Sequence, residues 1–75
     1  MLELVKFMVE ELVDDKAGVV VTLDEDNTVN VKVSKADMGK VIGKDGRIAK
    51  AIRTIVKAAG NKTGVKYSVV ILETE

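Results

Sequence analysis

The segment Val41-Ile42-Gly43-Lys44-Asp45-Gly46-Arg47 is the part of this chain best equipped for chemistry. Two glycines enclose a lysine and an aspartate. An apolar pair precedes them, and a basic, apolar helical pattern follows without a break. Glycine lets a backbone turn with positive φ or approach a ligand closely. A helix that stops at Gly43 and restarts at Gly46 leaves backbone N–H groups unpaired at the new N-terminus, and these groups and the helix dipole together suit a phosphate. A side chain at either glycine would hold the backbone away from that ligand. Lys44 lies on the loop, flanked by Lys40 and Arg47, and the three supply positive charge. Val41, Ile42 and Ile48 either offer apolar edges to a ligand beside the loop or pack in the core. Asp45 places a negative charge where a phosphate would sit; its favoured reading is as a cap for the helix that follows.

The elements that must position this loop follow from periodicity. Leu2, Val5, Met8/Val9, Leu12 and Val13 recur at three and four residues, which predicts a helix over 2–14. Lys16-Ala17-Gly18 ends it, with a basic residue and then a glycine. Val19–Leu23 is β-branched, apolar and too short for a helix, hence a strand. Asp24–Asn27 is a turn. Val29, Val31 and Val33 alternate with polar residues as a half-buried strand. Ser34 and Asp37 form an approximate capping box for a short helix over 35–42. A longer helix occupies 46–59, stopped at Gly60-Asn61, and Tyr67–Leu72 is a final strand. The expected order is α-β-β-α-α-β, an α+β architecture.

Composition narrows the chemistry. Seventy-five residues, 47% of them apolar, suffice for one domain over residues 1–75 but not for an enzyme cavity plus a second domain. There is no Cys and no His, so thiolate and imidazole metal sites, His general bases and disulfides are excluded and no metal or cofactor is expected. The lack of Cys fits a reducing cytoplasm. No apolar run reaches the roughly 20 residues of a membrane span. The spacing of Gly39–Lys44 is not that of a P-loop, and Ser34 and Ser68 have no evident base partner, so the chain reads as non-catalytic. The zero net charge hides an asymmetry. Residues 1–34 carry three basic and eight acidic side chains, whereas residues 35–66 carry nine basic ones against Asp37 and Asp45. The basic block coincides with the glycine loop and points to a polyanionic partner.

The helix over 46–59 carries two apolar stripes. Ala49, Ile52, Val56 and Ala59 form one; Ile48, Ala51, Ile55 and Ala58 form the other. A small domain can wrap such a helix from two sides, or Ala51, Ile55 and Ala58 can face a partner. Leu4 and Phe7 raise the same question on the first helix.

The order of elements and the Val41-Ile42-Gly43-x-x-Gly46 core resemble a KH domain of the bacterial, type II arrangement, in particular the small single-KH proteins of the KhpA family. Gly43–Val56 and Ala36–Lys40 carry the closer likeness, and the resemblance covers essentially the whole chain. Ala49 and Ile52 stand where the family commonly has apolar residues; Ile48 is an extra one. The resemblance implies a three-stranded mixed sheet in which the hairpin strands are antiparallel and the last strand lies parallel beside the second. It implies that a sheet edge around Val29–Val33 completes a groove for single-stranded RNA clamped at the G-x-x-G loop. It implies self-association, pairing with a larger KH-containing protein, and RNA chaperone or regulatory roles in cell division, elongation and envelope synthesis. Aromatic side chains are limited to Phe7 and Tyr67, which argues against base stacking on an RRM-type sheet. Single-stranded DNA stays open as a ligand, because no residue identifiably reads a 2′-hydroxyl. The rival expectation is a protein-interaction adapter acting through helix 46–59.

Overall fold

A computed structural model describes residues 1–74; the last residue of the expected 1–75 domain, Glu75, lies outside them. The elements are α1 (Leu2–Leu12), β1 (Val20–Leu23), β2 (Thr28–Ser34), α2 (Met38–Ile42), α3 (Arg47–Thr63) and β3 (Ser68–Thr74). Short 3₁₀ turns cover Lys16–Gly18, Lys35–Asp37 and Lys44–Gly46. The order α-β-β-α-α-β is the expected one. β1 pairs antiparallel with β2, with Val20 opposite Lys32 and Leu23 opposite Val29. β2 pairs parallel with β3, from Thr28 opposite Ser68 to Ser34 opposite Thr74.

Alternation along β2 sets the layers. Val29, Val31 and Val33 are fully buried, while Lys32 is exposed. They meet Val5 and Val9 of α1, Val13 and Val19 beyond it, Val41 of α2, Ile52 and Val56 of α3, and Val69 of β3 in one core. Compact β-branched side chains suit a thin two-layer domain, because they fill space with little rotamer entropy to lose.

α1 stops two residues short of the expected Asp14, and the reason is tertiary. Val13 is extended at φ −102, ψ 157. The N–H groups of Asp14 and Asp15, free to continue the helix, donate instead to the Asp37 carboxylate at 3.3 and 3.0 Å. Lys16 curls back, its Nζ donating to the carbonyl of Glu10 at 2.6 Å, so the basic residue satisfies the helix C-terminus. Asp37 is therefore no capping-box partner. It is buried, accepts from the Ser34 hydroxyl at 3.0 Å and joins the end of α1 to the start of α2.

α3 runs four residues past the expected stop at Ala59. Gly60 is a packing position: a Cβ there would lie 2.4 Å from the Val65 carbonyl oxygen and 2.7 Å from Cδ2 of Tyr67. The terminator is Gly64, left-handed at φ 74, with its N–H on the Asn61 carbonyl and the Val65 N–H on that of Gly60. The inward stripe is Ala49, Ile52, Val56 and Gly60; Ala59 is half-buried and Ile55 lies outside the core at 41% exposure. Among the described residues no helix is long and apolar enough to cross a membrane.

Candidate nucleic-acid interface

Three unusual backbone positions build the loop between α2 and α3. Gly43 has φ 76 and ψ 176, a region essentially closed to residues with a Cβ. Asp45 (φ 57, ψ 24) and Gly46 (φ 75, ψ 15) are left-handed. Aspartate is among the few non-glycine residues that take this conformation readily. The chain thus folds tightly over the start of α3 with Lys44 exposed at its tip.

No side chain caps α3. Gly46 occupies the N-cap position, and the Asp45 carboxylate makes no cap hydrogen bond. The expected capping role is corrected: Asp45 stands one residue too early and is turned by its positive φ. The first turn contains no acidic residue, and Arg47 adds a cation to the positive end of the dipole. That arrangement is unfavourable for the helix alone, and it is the kind of helix start that an anion would stabilise.

The remaining sequence-predicted residues separate into three groups. Lys44 and Arg47 are exposed. Both ion pairs among the described residues belong to Lys40, which binds Asp14 and, at 3.3 Å, Asp37. Its pKa is raised, first by the hydrogen bond to Asp14; its charge is committed to the fold rather than offered to a phosphate. Val41 is fully buried and takes the core-packing alternative. Ile42 is 37% exposed and borders the groove described next. Ile48 is half-buried directly beneath Gly43.

A groove of about 350 Å³ opens beside the loop. Ile42, Gly46, Ala49, Lys50 and Arg53 form one wall; Val69, Val70 and Ile71 of β3 form the other. This corrects the expectation that the sheet edge around Val29–Val33 would complete it. The strand order is β1-β2-β3, so β2 is central and its valines are buried, whereas β3 is an edge strand running back along α3. No Asp or Glu occurs from Gly46 to Leu72, so the residues that border the groove include no acidic side chain to offset its cations.

Ala51, Ile55 and Ala58 are all exposed. Ala51 and Ile55, with Phe7, Met8, Leu12 and Ile48, border an almost wholly apolar depression of about 440 Å³ between α1 and α3. Phe7 is 63% exposed at its rim. The depression and the basic groove lie on different flanks of α3, about 100° or more apart by helical spacing.

The sequence profile of a family described as KhpA/KhpB, KH domain, matches residues 2–71. The chain is 50% identical over 74 residues to the RNA-binding protein KhpA of Listeria monocytogenes, covering 95% of this chain and 97% of the relative. It is 52% identical over 75 residues to that of Clostridium perfringens, covering 96% and 100%, and 46% identical over 74 residues to that of Aquifex aeolicus, covering 95% and 94%. No solved structure gives a significant match. With a G-x-x-G turn between two helices, a mixed sheet of KH topology and relatives of equal length, the chain belongs to the KhpA/KhpB family of KH domains.

Proposed function

We propose that this protein is a non-catalytic, cytoplasmic module that binds single-stranded RNA, with the backbone from Gly43 to Gly46 clamped against the sugar–phosphate chain. The observation that carries this reading is the conjunction of two Cβ-free, positive-φ positions with a helix start that no side chain caps. Lys44 and Arg47 supply charge to phosphates, and Ile42 and the β3 edge supply apolar contact to unstacked bases. The names of the relatives support RNA as the ligand. The family resemblance extends the reading to RNA chaperone or post-transcriptional control in cell division and envelope synthesis.

The apolar depression between α1 and α3 favours a second, compatible role. Ile55, Ala51 and Phe7 form a contact face on which the protein pairs with itself or with a larger KH-containing protein.

The test is a fluorescence titration of labelled single-stranded RNA. Lys44→Asp, at an exposed position that leaves both glycines in place, is expected to cost on the order of 1 kcal/mol at low salt. Affinity is expected to fall steeply with salt and duplex RNA to compete poorly. Unchanged affinity for Lys44→Asp would remove the loop from the site.

A further inference from the structure

Beyond the groove at the loop, α3 and the chain leading into β3 enclose a second cleft. It has a volume of about 360 Å³ and is bordered by Lys57, Asn61, Lys66, Tyr67 and Ser68. Gly46, Lys50, Arg53, Lys57 and Asn61 follow one another at four and three residues, so they form a single line along one face of α3. The other wall matches it in reverse: Val69–Ile71 of β3 stand opposite the start of that line, and Lys66–Ser68, the approach to β3 and its first residue, opposite its end. The two clefts are therefore successive stretches of one trough. From Gly46 to Asn61 it is about 22 Å long at the rise of an α-helix.

A G-x-x-G clamp holds about four nucleotides, which leaves the far stretch unused by the loop. That stretch has its own chemistry. Lys57 and Lys66 are exposed and unpaired among the described residues. Asn61 and Ser68 carry hydrogen-bonding side chains. Tyr67 supplies a half-buried ring. Gly60 is what admits that ring, since any Cβ there would strike it and the Val65 carbonyl. The packing fixes the aromatic at the end of a cationic track, the combination by which single-stranded nucleic acid is held through phosphate contact and base stacking.

We propose that the Lys57–Lys66–Tyr67 cleft is an extension subsite for the same RNA strand, taking nucleotides that leave the loop groove, with the two lysines on phosphates and the Tyr67 ring against a base. This rests on the RNA-binding reading above.

The test compares oligouridylates of about four and about eight nucleotides on the wild-type protein, the Lys57→Gln/Lys66→Gln double variant and Lys44→Asp. Both lysines are exposed, so the double variant keeps the fold. The longer strand is expected to bind the wild type more tightly. The double variant is expected to lose that advantage, to bind the shorter strand as the wild type does, and to lower the salt slope for the longer strand by about 1.4, the value for two phosphate contacts on a single strand. The chain has one Tyr and no Trp, so its fluorescence reports this cleft alone; quenching is expected with the longer strand and not with the shorter. Equal weakening of both lengths, or of neither, in the double variant while Lys44→Asp weakens both would overturn the extension and leave the loop reading intact. Failure of Lys44→Asp to weaken either length would remove the loop reading, and the extension falls with it.

Discussion

Gly43 rests directly on the side chain of Ile48: a Cβ added to Gly43 would lie 2.6 Å from Cγ1 of Ile48. Gly46, the other glycine of the motif, has nothing within 4 Å of that position. The two glycines therefore do different work, although the motif writes them as equivalent. Gly43→Ala meets both a closed region of backbone space and a clash with a half-buried neighbour. It is expected to cost about 2–5 kcal/mol in chemical denaturation. Gly46→Ala meets only the left-handed penalty, about 1–2 kcal/mol. Equal losses would show that the Ile48 contact contributes nothing.

Asp45 offers a second test. Its side chain makes no cap hydrogen bond, and asparagine accepts the same left-handed backbone. Asp45→Asn is expected to leave stability within about 1 kcal/mol and, if the loop clamps RNA as proposed, to tighten RNA binding, because one negative charge leaves the loop. A large loss of stability would restore the capping role.

Asp37 governs the response to acid. Its carboxyl is lowered from 3.8 to about 2, foremost by the Asp15 N–H, then by the Asp14 N–H, the Ser34 hydroxyl and Lys40, against an opposing cost of desolvation. A carboxylate held below its unfolded value stabilises the fold above that value and ceases to do so as it is protonated. Melting temperature is therefore expected to be flat above about pH 4 and to fall as pH drops from 3.8 toward about 2. Asp37→Asn is expected to melt roughly ten degrees lower at neutral pH and to lose most of that slope. A residual slope of the same sign remains from Asp24, which the Thr28 N–H also holds low. An unchanged acid profile in Asp37→Asn would show that the carboxylate network is not the determinant.

On α3, Ile55 and Ile52 separate assembly from folding. Ile55 is 41% exposed and Ile52 3%. Ile55→Asp is expected to remain folded by circular dichroism and to reduce a dimer to monomers by light scattering. Ile52→Asp is expected to unfold the domain, because a lone buried carboxylate costs several kcal/mol of a small reserve. A folded Ile55→Asp variant of unchanged mass would end the interface reading.

The order of elements and the parallel last strand were legible because β2 alternates cleanly and the glycine loop carries a family signature. What escaped depends on partners distant in sequence. Lys40 looked available because Asp14 lies 26 residues away. α1 looked longer because nothing local shows Asp37 capturing two of its next N–H groups. Gly60 resembled a helix stop because a packing glycine and a terminating glycine are the same letter; the Val65 carbonyl and the Tyr67 ring distinguish them. Asp45 looked like a cap because its distance from the helix start was right to within one residue.

The parallel pairing of β2 with β3 also sets an order in time. Thr28 finds its partner only at Ser68, after the hairpin, the glycine loop and all of α3 have been synthesised. A nascent chain that ends before β3 already carries Gly43, Lys44 and Gly46, yet it has one wall of the groove and not the other. The complete groove is thus a late acquisition of the growing chain. Closing the sheet and completing the trough are the same event.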